Sequence, residues 1–159
     1  MEFDRGDKKM ERPESIILDA SVVVKWFVDE EYTDKATEIL NDYKRGETTI
    51  YSVQHMPYEV INALRYNPAM GREDLALIGN ALKKFQIELY PLVDGLYEST
   101  IDIAINSGTT IYDASYLALA IEMNGHAYTA DQRFMNKVTK YGHLSHISSY
   151  DRLSRKPTT

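Results

Sequence analysis

Segments typical of buried strands alternate with segments of helical periodicity along almost the whole chain. Apolar or β-branched runs indicate strands at residues 15–18, 48–53, 87–92, 126–130 and 144–148. Apolar residues that recur every three or four positions indicate helices at residues 33–45, 57–66, 71–86, 96–107, 113–123 and 132–139. This order favours an α/β fold in which helices connect the strands of a mostly parallel sheet.

The composition is that of a globular domain without covalent cross-links. Of the 159 residues, 43% are apolar and 26% are charged, and none is a cysteine. These values exclude a collagen-like or low-complexity chain, disulfides and metal sites built from thiolates. Because Asp19 and Lys25 interrupt the longest apolar stretch, we expect no membrane-spanning helix. The absence of cysteine is compatible with a reducing cytoplasm, which is the location we expect.

Charge is distributed unevenly along the chain. The net charge is −6, but residues 1–131 carry 12 positive and 23 negative side chains (−11), whereas residues 132–159 carry six positive and one negative (+5). We expect a charged, mobile leader at residues 1–14, a single domain at residues 15–150 and a basic tail at residues 151–159. The acidic total argues against a nucleic-acid partner, whereas the basic C-terminal part favours one.

Four acidic residues stand where the predicted strands give way to helices. Asp19 and Asp131 each end a strand, and Glu59 and Asp113 each lie in the first turn of a helix. For any one of them the simplest role is to cap a helix or to complement its dipole. In a parallel sheet, however, these boundaries share one edge, and carboxylates that converge there repel one another unless a cation compensates them. Mg²⁺ or Mn²⁺ suits such an all-oxygen cluster.

The residues around these acids form four motifs. They are Leu18-Asp19-Ala-Ser21, Pro57-Tyr-Glu59-Val-Ile-Asn62, Ile111-Tyr-Asp113-Ala-Ser-Tyr-Leu and Tyr128-Thr129-Ala-Asp131-Gln-Arg-Phe134. In this order they resemble the successive motifs of the PIN domain, most closely those of VapC-type toxins, across nearly the whole predicted domain. The resemblance implies a three-layer α/β/α sandwich with a mostly parallel central sheet, and RNA cleavage that depends on Mg²⁺ or Mn²⁺.

The same resemblance assigns roles to individual residues. It implies that Asp19, Glu59, Asp113 and Asp131 are both the catalytic residues and the metal ligands. Ser21 and Thr129 match hydroxyl positions that support the site by hydrogen bonding, and Asn62 matches a polar residue that orients the glutamate. Solvent contact or routine capping is the competing role for the two hydroxyls. We expect the carboxylates to hold one or two cations that activate a water for in-line attack on the phosphate.

Positive residues follow directly after the last acid. Arg133, Lys137 and Lys140 recur at helical spacing and are our candidates for contacts with the RNA backbone, with a solvated helix face as the alternative.

The resemblance to toxins also implies partners. We expect a cognate antitoxin protein that blocks the site, and a homodimer. Two other functions stay open on the sequence alone: a housekeeping RNA-processing nuclease of the same family, and a PIN-like binding module without catalysis. The four unsubstituted acids speak against the binding module.

Overall fold

The computed structural model describes residues 14–151. The predicted leader up to residue 13 and the basic tail from residue 152 lie outside this range. The strand β1 begins at Glu14, which pairs with Thr48. Glu14 is therefore part of the sheet and not, as predicted, the last residue of the leader.

Five strands and seven α-helices follow one another in the predicted alternation. The strands are β1 (Glu14–Leu18), β2 (Thr48–Val53), β3 (Glu88–Tyr90), β4 (His126–Thr129) and β5 (Leu144–His146). The helices are α1 (Ala20–Val23), α2 (Thr33–Lys44), α3 (Met56–Arg65), α4 (Arg72–Lys84), α5 (Asp94–Ser107), α6 (Ile111–Glu122) and α7 (Gln132–Lys137). Short 3₁₀ turns at Val24–Trp26, Thr139–Tyr141 and Ile147–Ser149 complete the described secondary structure.

The strands form one parallel sheet in the order β3-β2-β1-β4-β5. Ile16, Ile17 and Leu18 of the central strand are all fully buried. Because successive side chains of a strand point to opposite faces, burial of all three means that both faces of β1 are covered. The expected α/β/α sandwich with a parallel central sheet is confirmed.

Helix α6 packs against β1, β2 and β4 and is the most deeply buried helix. Its residues 114–120 are all buried, and small side chains such as Ala114, Ser115 and Ala118 let the helix approach the sheet closely. The chain enters α6 from α5 through Gly108, whose φ of 69° is a left-handed conformation that glycine adopts without strain. This turn sets where the first turn of α6, and with it Asp113, meets the sheet.

Several elements differ in length from the sequence prediction. The strand β3 is shorter than expected because it lies at the edge of the sheet and pairs only with residues 51–53 of β2. Helix α6 starts earlier than expected, since the Thr110 hydroxyl accepts a hydrogen bond from the backbone of Asp113 and caps the helix. Within residues 14–151, no helix combines the length and the apolar character needed to span a bilayer.

Candidate active site

The four acids all stand at helix N-termini above the carboxyl edge of the sheet. Asp19 follows β1 directly, and Asp131 follows β4 two residues after Thr129. Glu59 lies in the first turn of α3, which comes after β2, and Asp113 lies in the first turn of α6. This is the edge at which parallel α/β proteins place their functional groups.

Two of the acids also cap the helices that they precede. The Asp19 carboxylate accepts a hydrogen bond from the backbone N–H of Val22, and Asp131 Oδ1 accepts hydrogen bonds from the backbone N–H groups of Arg133 and Phe134. Capping and clustering are therefore not alternatives here. The helix N-terminus fixes each carboxylate in place and adds a positive dipole end that favours its charge.

Two hydroxyl groups hold the nearly buried Asp19 carboxylate, which is 6% exposed. The Ser21 hydroxyl donates to Oδ1 at 2.5 Å, and the Thr129 hydroxyl donates to Oδ2. Each hydroxyl in turn accepts a backbone hydrogen bond, Ser21 from Ala130 at 2.9 Å and Thr129 from Asp131 at 3.0 Å. This network ties the end of β1 to the end of β4, and it brings Ser21 and Thr129 to the carboxylate that they are predicted to support.

The acids influence one another electrostatically. Burial raises the pKa of Asp19 from its ordinary value of 3.8 to about 6, and the charge of Asp113 adds to the rise. Burial likewise raises the pKa of Asp113, and the charges of Asp131 and Glu59 raise it further, against a smaller opposing effect of Lys137. An additional negative charge beside Asp113 is therefore costly.

The Glu59 carboxylate is held by residues outside the predicted site. The Tyr116 hydroxyl donates to Glu59 Oε1 at 2.5 Å, and His55 Nε2 lies 3.6 Å from the same oxygen. Local spacing places each of them near an acid on its own helix, since Tyr116 lies one helical turn after Asp113 and His55 one turn before Glu59, but it does not show that Tyr116 meets Glu59. Asn62, the predicted partner of Glu59, lies exposed on α3, and the hydrogen bond to Glu59 comes from Tyr116.

Two of the three predicted RNA contacts border the acids. Arg133 and Lys137 line a polar cavity of about 420 Å³ together with Asp113 and Asp131. Lys140 does not continue their helical row, because α7 ends at Lys137 and Lys140 lies in the 3₁₀ turn that follows, with its ammonium group 5.2 Å from the centre of the Tyr141 ring. The prediction that all three residues share one helical row is therefore wrong for Lys140. It is confirmed for Arg133 and Lys137.

The donor set fits a hard divalent cation. It consists of carboxylate oxygens, and a cation among them would relieve the repulsion that raises the pKa of Asp113. Among the residues that the structure describes, no three acidic or histidine side chains form a ready-made ligand cluster. Three of the carboxylates already accept hydrogen bonds from the protein, Asp19 from two hydroxyls, Asp131 from the first amides of α7 and Glu59 from Tyr116. A cation would therefore coordinate to the lone pairs that these hydrogen bonds leave available.

Known proteins resemble this chain over most of its length. Residues 16–140 match the family model of the PIN domain. The chain is 26% identical to Ribonuclease VapC3 of Pyrobaculum aerophilum over 129 residues, which cover 77% of this chain and 93% of that protein. The crystal structure of PAE2754 from the same organism superposes with a TM-score of 0.58 at 25% identity, covering 86% of this chain and 93% of that one.

A toxin–antitoxin complex from Klebsiella pneumoniae has the same fold at lower sequence identity. It superposes with a TM-score of 0.63 at 11% identity and covers 83% of this chain and 97% of its own. The shared fold, the match to the family model and the likeness to a VapC ribonuclease agree with one another. The chain belongs to the PIN-domain family.

Proposed function

We propose that the protein is an endoribonuclease that binds Mg²⁺ or Mn²⁺ at Asp19, Glu59, Asp113 and Asp131 and hydrolyses phosphodiester bonds of RNA. The observation that carries the proposal is the placement of these acids at the carboxyl edge of the sheet, where Asp113 and Asp131 line one cavity and the Thr129 hydroxyl joins the Asp19 carboxylate to the backbone of Asp131. The likeness to a VapC ribonuclease supports RNA as the substrate.

Each residue of the site has a separate task in this proposal. Asp19, Asp113 and Asp131 hold the cation, while Ser21 and Thr129 orient the Asp19 carboxylate through their hydroxyl groups. A bound divalent cation polarises the scissile phosphate and lowers the pKa of a water molecule. Glu59, which is about one-third exposed, accepts the proton of the attacking water or contacts the cation through water.

The proposed biological role is that of the toxin in a toxin–antitoxin pair. It is supported by the likeness to Ribonuclease VapC3 and by the fold shared with a protein of a toxin–antitoxin complex. The partners in this proposal are a small antitoxin protein that covers the acidic site and a second copy of the chain in a homodimer.

The nuclease proposal predicts metal-dependent cleavage by the purified full-length chain. Single-stranded or loop RNA is cut when Mg²⁺ or Mn²⁺ is present and is left intact in excess chelator. The expected products carry 5′-phosphate and 3′-hydroxyl ends, which ligation and phosphatase treatment of the fragments identify. Cleavage that persists undiminished in chelator would contradict the proposal.

Arg133 and Lys137 are expected to bind the phosphate backbone next to the acids. Replacing both with alanine should make the negative slope of log K for RNA binding against log salt concentration shallower by about 1 to 1.5, because each phosphate contact to a single strand contributes about −0.7 to that slope. The matched control replaces Lys83 and Lys84, two exposed lysines at the end of α4, and should leave the slope unchanged. Equal slopes for the two double variants would show that Arg133 and Lys137 do not contact phosphates.

A further inference from the structure

Two aromatic side chains enclose Glu59 from the protein side. Tyr116 is only 2% exposed, and its hydroxyl donates to Glu59 Oε1 at 2.5 Å. The ring of His55 packs edge-on against Tyr116, with 5.6 Å between ring centres, and places Nε2 3.6 Å from the same oxygen. The fold therefore holds Glu59 through Oε1, and Oε2 is the oxygen that we assign to a cation or to water.

Tyr116 occupies a position that joins three parts of the site. It lies on α6 one turn after Asp113, and its hydroxyl lies near the backbone amide of Ala20, the residue that follows Asp19. The same hydroxyl reaches Glu59 on α3, a residue 57 positions away in the chain. A single buried phenol thus contacts or adjoins the segments that carry three of the four acids.

The hydrogen-bond directions around His55 hold its ring in one orientation. The Ser115 hydroxyl donates to the backbone carbonyl of Tyr112 at 2.6 Å, so it accepts from His55 Nε2, which lies 3.2 Å away. Nε2 therefore carries a hydrogen, which it donates to Ser115. His55 therefore lies beside the Glu59 carboxylate in a fixed orientation, and Tyr116 donates the direct hydrogen bond to it.

We propose that Tyr116 is a positioning residue that acts through Glu59: its hydroxyl fixes the carboxylate in the orientation in which Glu59 serves the proposed cation site. The inference rests on the proposed function, because it requires that Glu59 acts there. A glutamate side chain has several rotatable bonds, and one that is partly exposed loses its orientation when its hydrogen-bond donor is removed. Residues that orient metal ligands in this way typically change metal affinity or activity by about 10- to 100-fold when they are lost.

The structure offers a matched control for this role. Tyr150 is fully buried, and its hydroxyl donates to the buried carboxylate of Asp42 at 2.6 Å. Asp42 lies near the end of α2, where Arg45 also binds it, and it is not one of the acids of the candidate site. Tyr150→Phe therefore removes the same kind of hydrogen bond from a buried tyrosine without touching Glu59.

The test is a calorimetric titration of the full-length, metal-free chain with Mn²⁺, together with steady-state cleavage of RNA. Tyr116→Phe is expected to weaken Mn²⁺ binding about tenfold and to lower kcat by a similar factor, with KM for RNA unchanged within twofold. Tyr150→Phe is expected to lower the thermal unfolding temperature and to leave the Mn²⁺ affinity unchanged. Equal Mn²⁺ affinities for the unchanged chain and Tyr116→Phe would overturn the proposal.

A double-mutant cycle separates positioning from a merely structural effect. In a Glu59→Gln background, Tyr116→Phe should cause no further loss of Mn²⁺ affinity, because the group through which Tyr116 acts is already altered. A further tenfold loss in that background would show that Tyr116 acts by another route and would also overturn the proposal.

The outcomes distinguish this inference from the proposed function. If the unchanged chain binds Mn²⁺ but leaves RNA intact, the nuclease proposal fails, and the affinity of Tyr116→Phe still decides the role of Tyr116. If the unchanged chain does not bind Mn²⁺, the cation site is wrong and the role of Tyr116 is wrong with it.

Discussion

Replacing Asp113 with asparagine is expected to lower kcat for RNA cleavage by about 10²- to 10³-fold, which corresponds to roughly 3 to 4 kcal/mol of transition-state stabilisation. The negative charges of both Asp131 and Glu59 raise the pKa of Asp113. Asp113 is therefore the acid that both of these neighbours influence. Asparagine keeps the size of the side chain but removes the negative charge that holds the cation. The cap of α6 is preserved, because the Thr110 hydroxyl binds the backbone N–H of Asp113.

The same substitution should not destabilise the fold. Removing one of several mutually repelling carboxylates is expected to leave the free energy of unfolding unchanged or to raise it, as is common for residues kept for function. Asp102→Asn is the matched control, since Asp102 is an exposed acid on α5. Denaturant unfolding and steady-state cleavage measured on both variants separate the two effects. Full activity of Asp113→Asn would contradict its assignment to the site.

The toxin role is tested with the same variants in cells. Induced expression of the unchanged chain and of Asp102→Asn is expected to arrest growth, and expression of Asp113→Asn is not. Co-expression of the adjacent reading frame should relieve the arrest if that frame encodes the antitoxin. Normal growth on expression of an active nuclease would indicate a housekeeping enzyme instead.

Ionisation of Asp19 is expected to make the stability of the fold depend on pH. In the metal-free protein, the pKa of Asp19 is about 6 instead of 3.8 because the carboxyl group is buried. The folded state therefore keeps this proton to a higher pH than the unfolded state does. The resulting contribution to stability is fully present below about pH 4 and is lost as pH rises through about 6. Its size is about 3 kcal/mol, because each unit of pKa shift corresponds to about 1.4 kcal/mol.

Asp19→Asn isolates this effect, since asparagine does not titrate. We expect the free energy of unfolding of the unchanged chain, relative to that of Asp19→Asn, to fall by about 3 kcal/mol between pH 3 and pH 7.5. Urea unfolding at several pH values in chelator-treated buffer measures the difference. Saturating Mn²⁺ should reduce the fall at neutral pH, because the cation stabilises the charged carboxylate. A stability difference that is constant over this pH range would show that Asp19 ionises normally in the fold.

Local sequence patterns were sufficient to predict the architecture. The strand at residues 48–53 was predicted with the bounds that the structure shows, since it is a β-branched run between clear breaks. Helix ends were less predictable where a cap or a backbone turn decides them. The start of α6 depends on Thr110, and the end of α7 at Lys137 depends on a change of backbone conformation at Val138. That change separates Lys140 from the helical row on which the sequence placed it.

Sequence patterns predict the acids of the candidate site and the two hydroxyls beside Asp19, but they do not predict the groups that hold Glu59. Motif order identifies the acids because each one adjoins a strand or helix boundary that is visible locally. The contact between Tyr116 and Glu59 joins residues that lie 57 positions apart, and it depends on how closely α6 packs against α3 and the sheet. Spacing along one helix shows which side chains share a face, but it does not show which carboxylate they meet on another helix.

The most direct test of the central claim is a titration of the full-length chain with Mn²⁺ at pH 7.5, by calorimetry, before and after removal of single carboxylates. We expect saturable binding of one or two ions that is strongly weakened in Asp19→Asn and Asp113→Asn and unchanged in Asp102→Asn. Binding that is equally strong in all four proteins, or that is absent from the unchanged chain, would contradict the claim that these acids form a divalent-cation site.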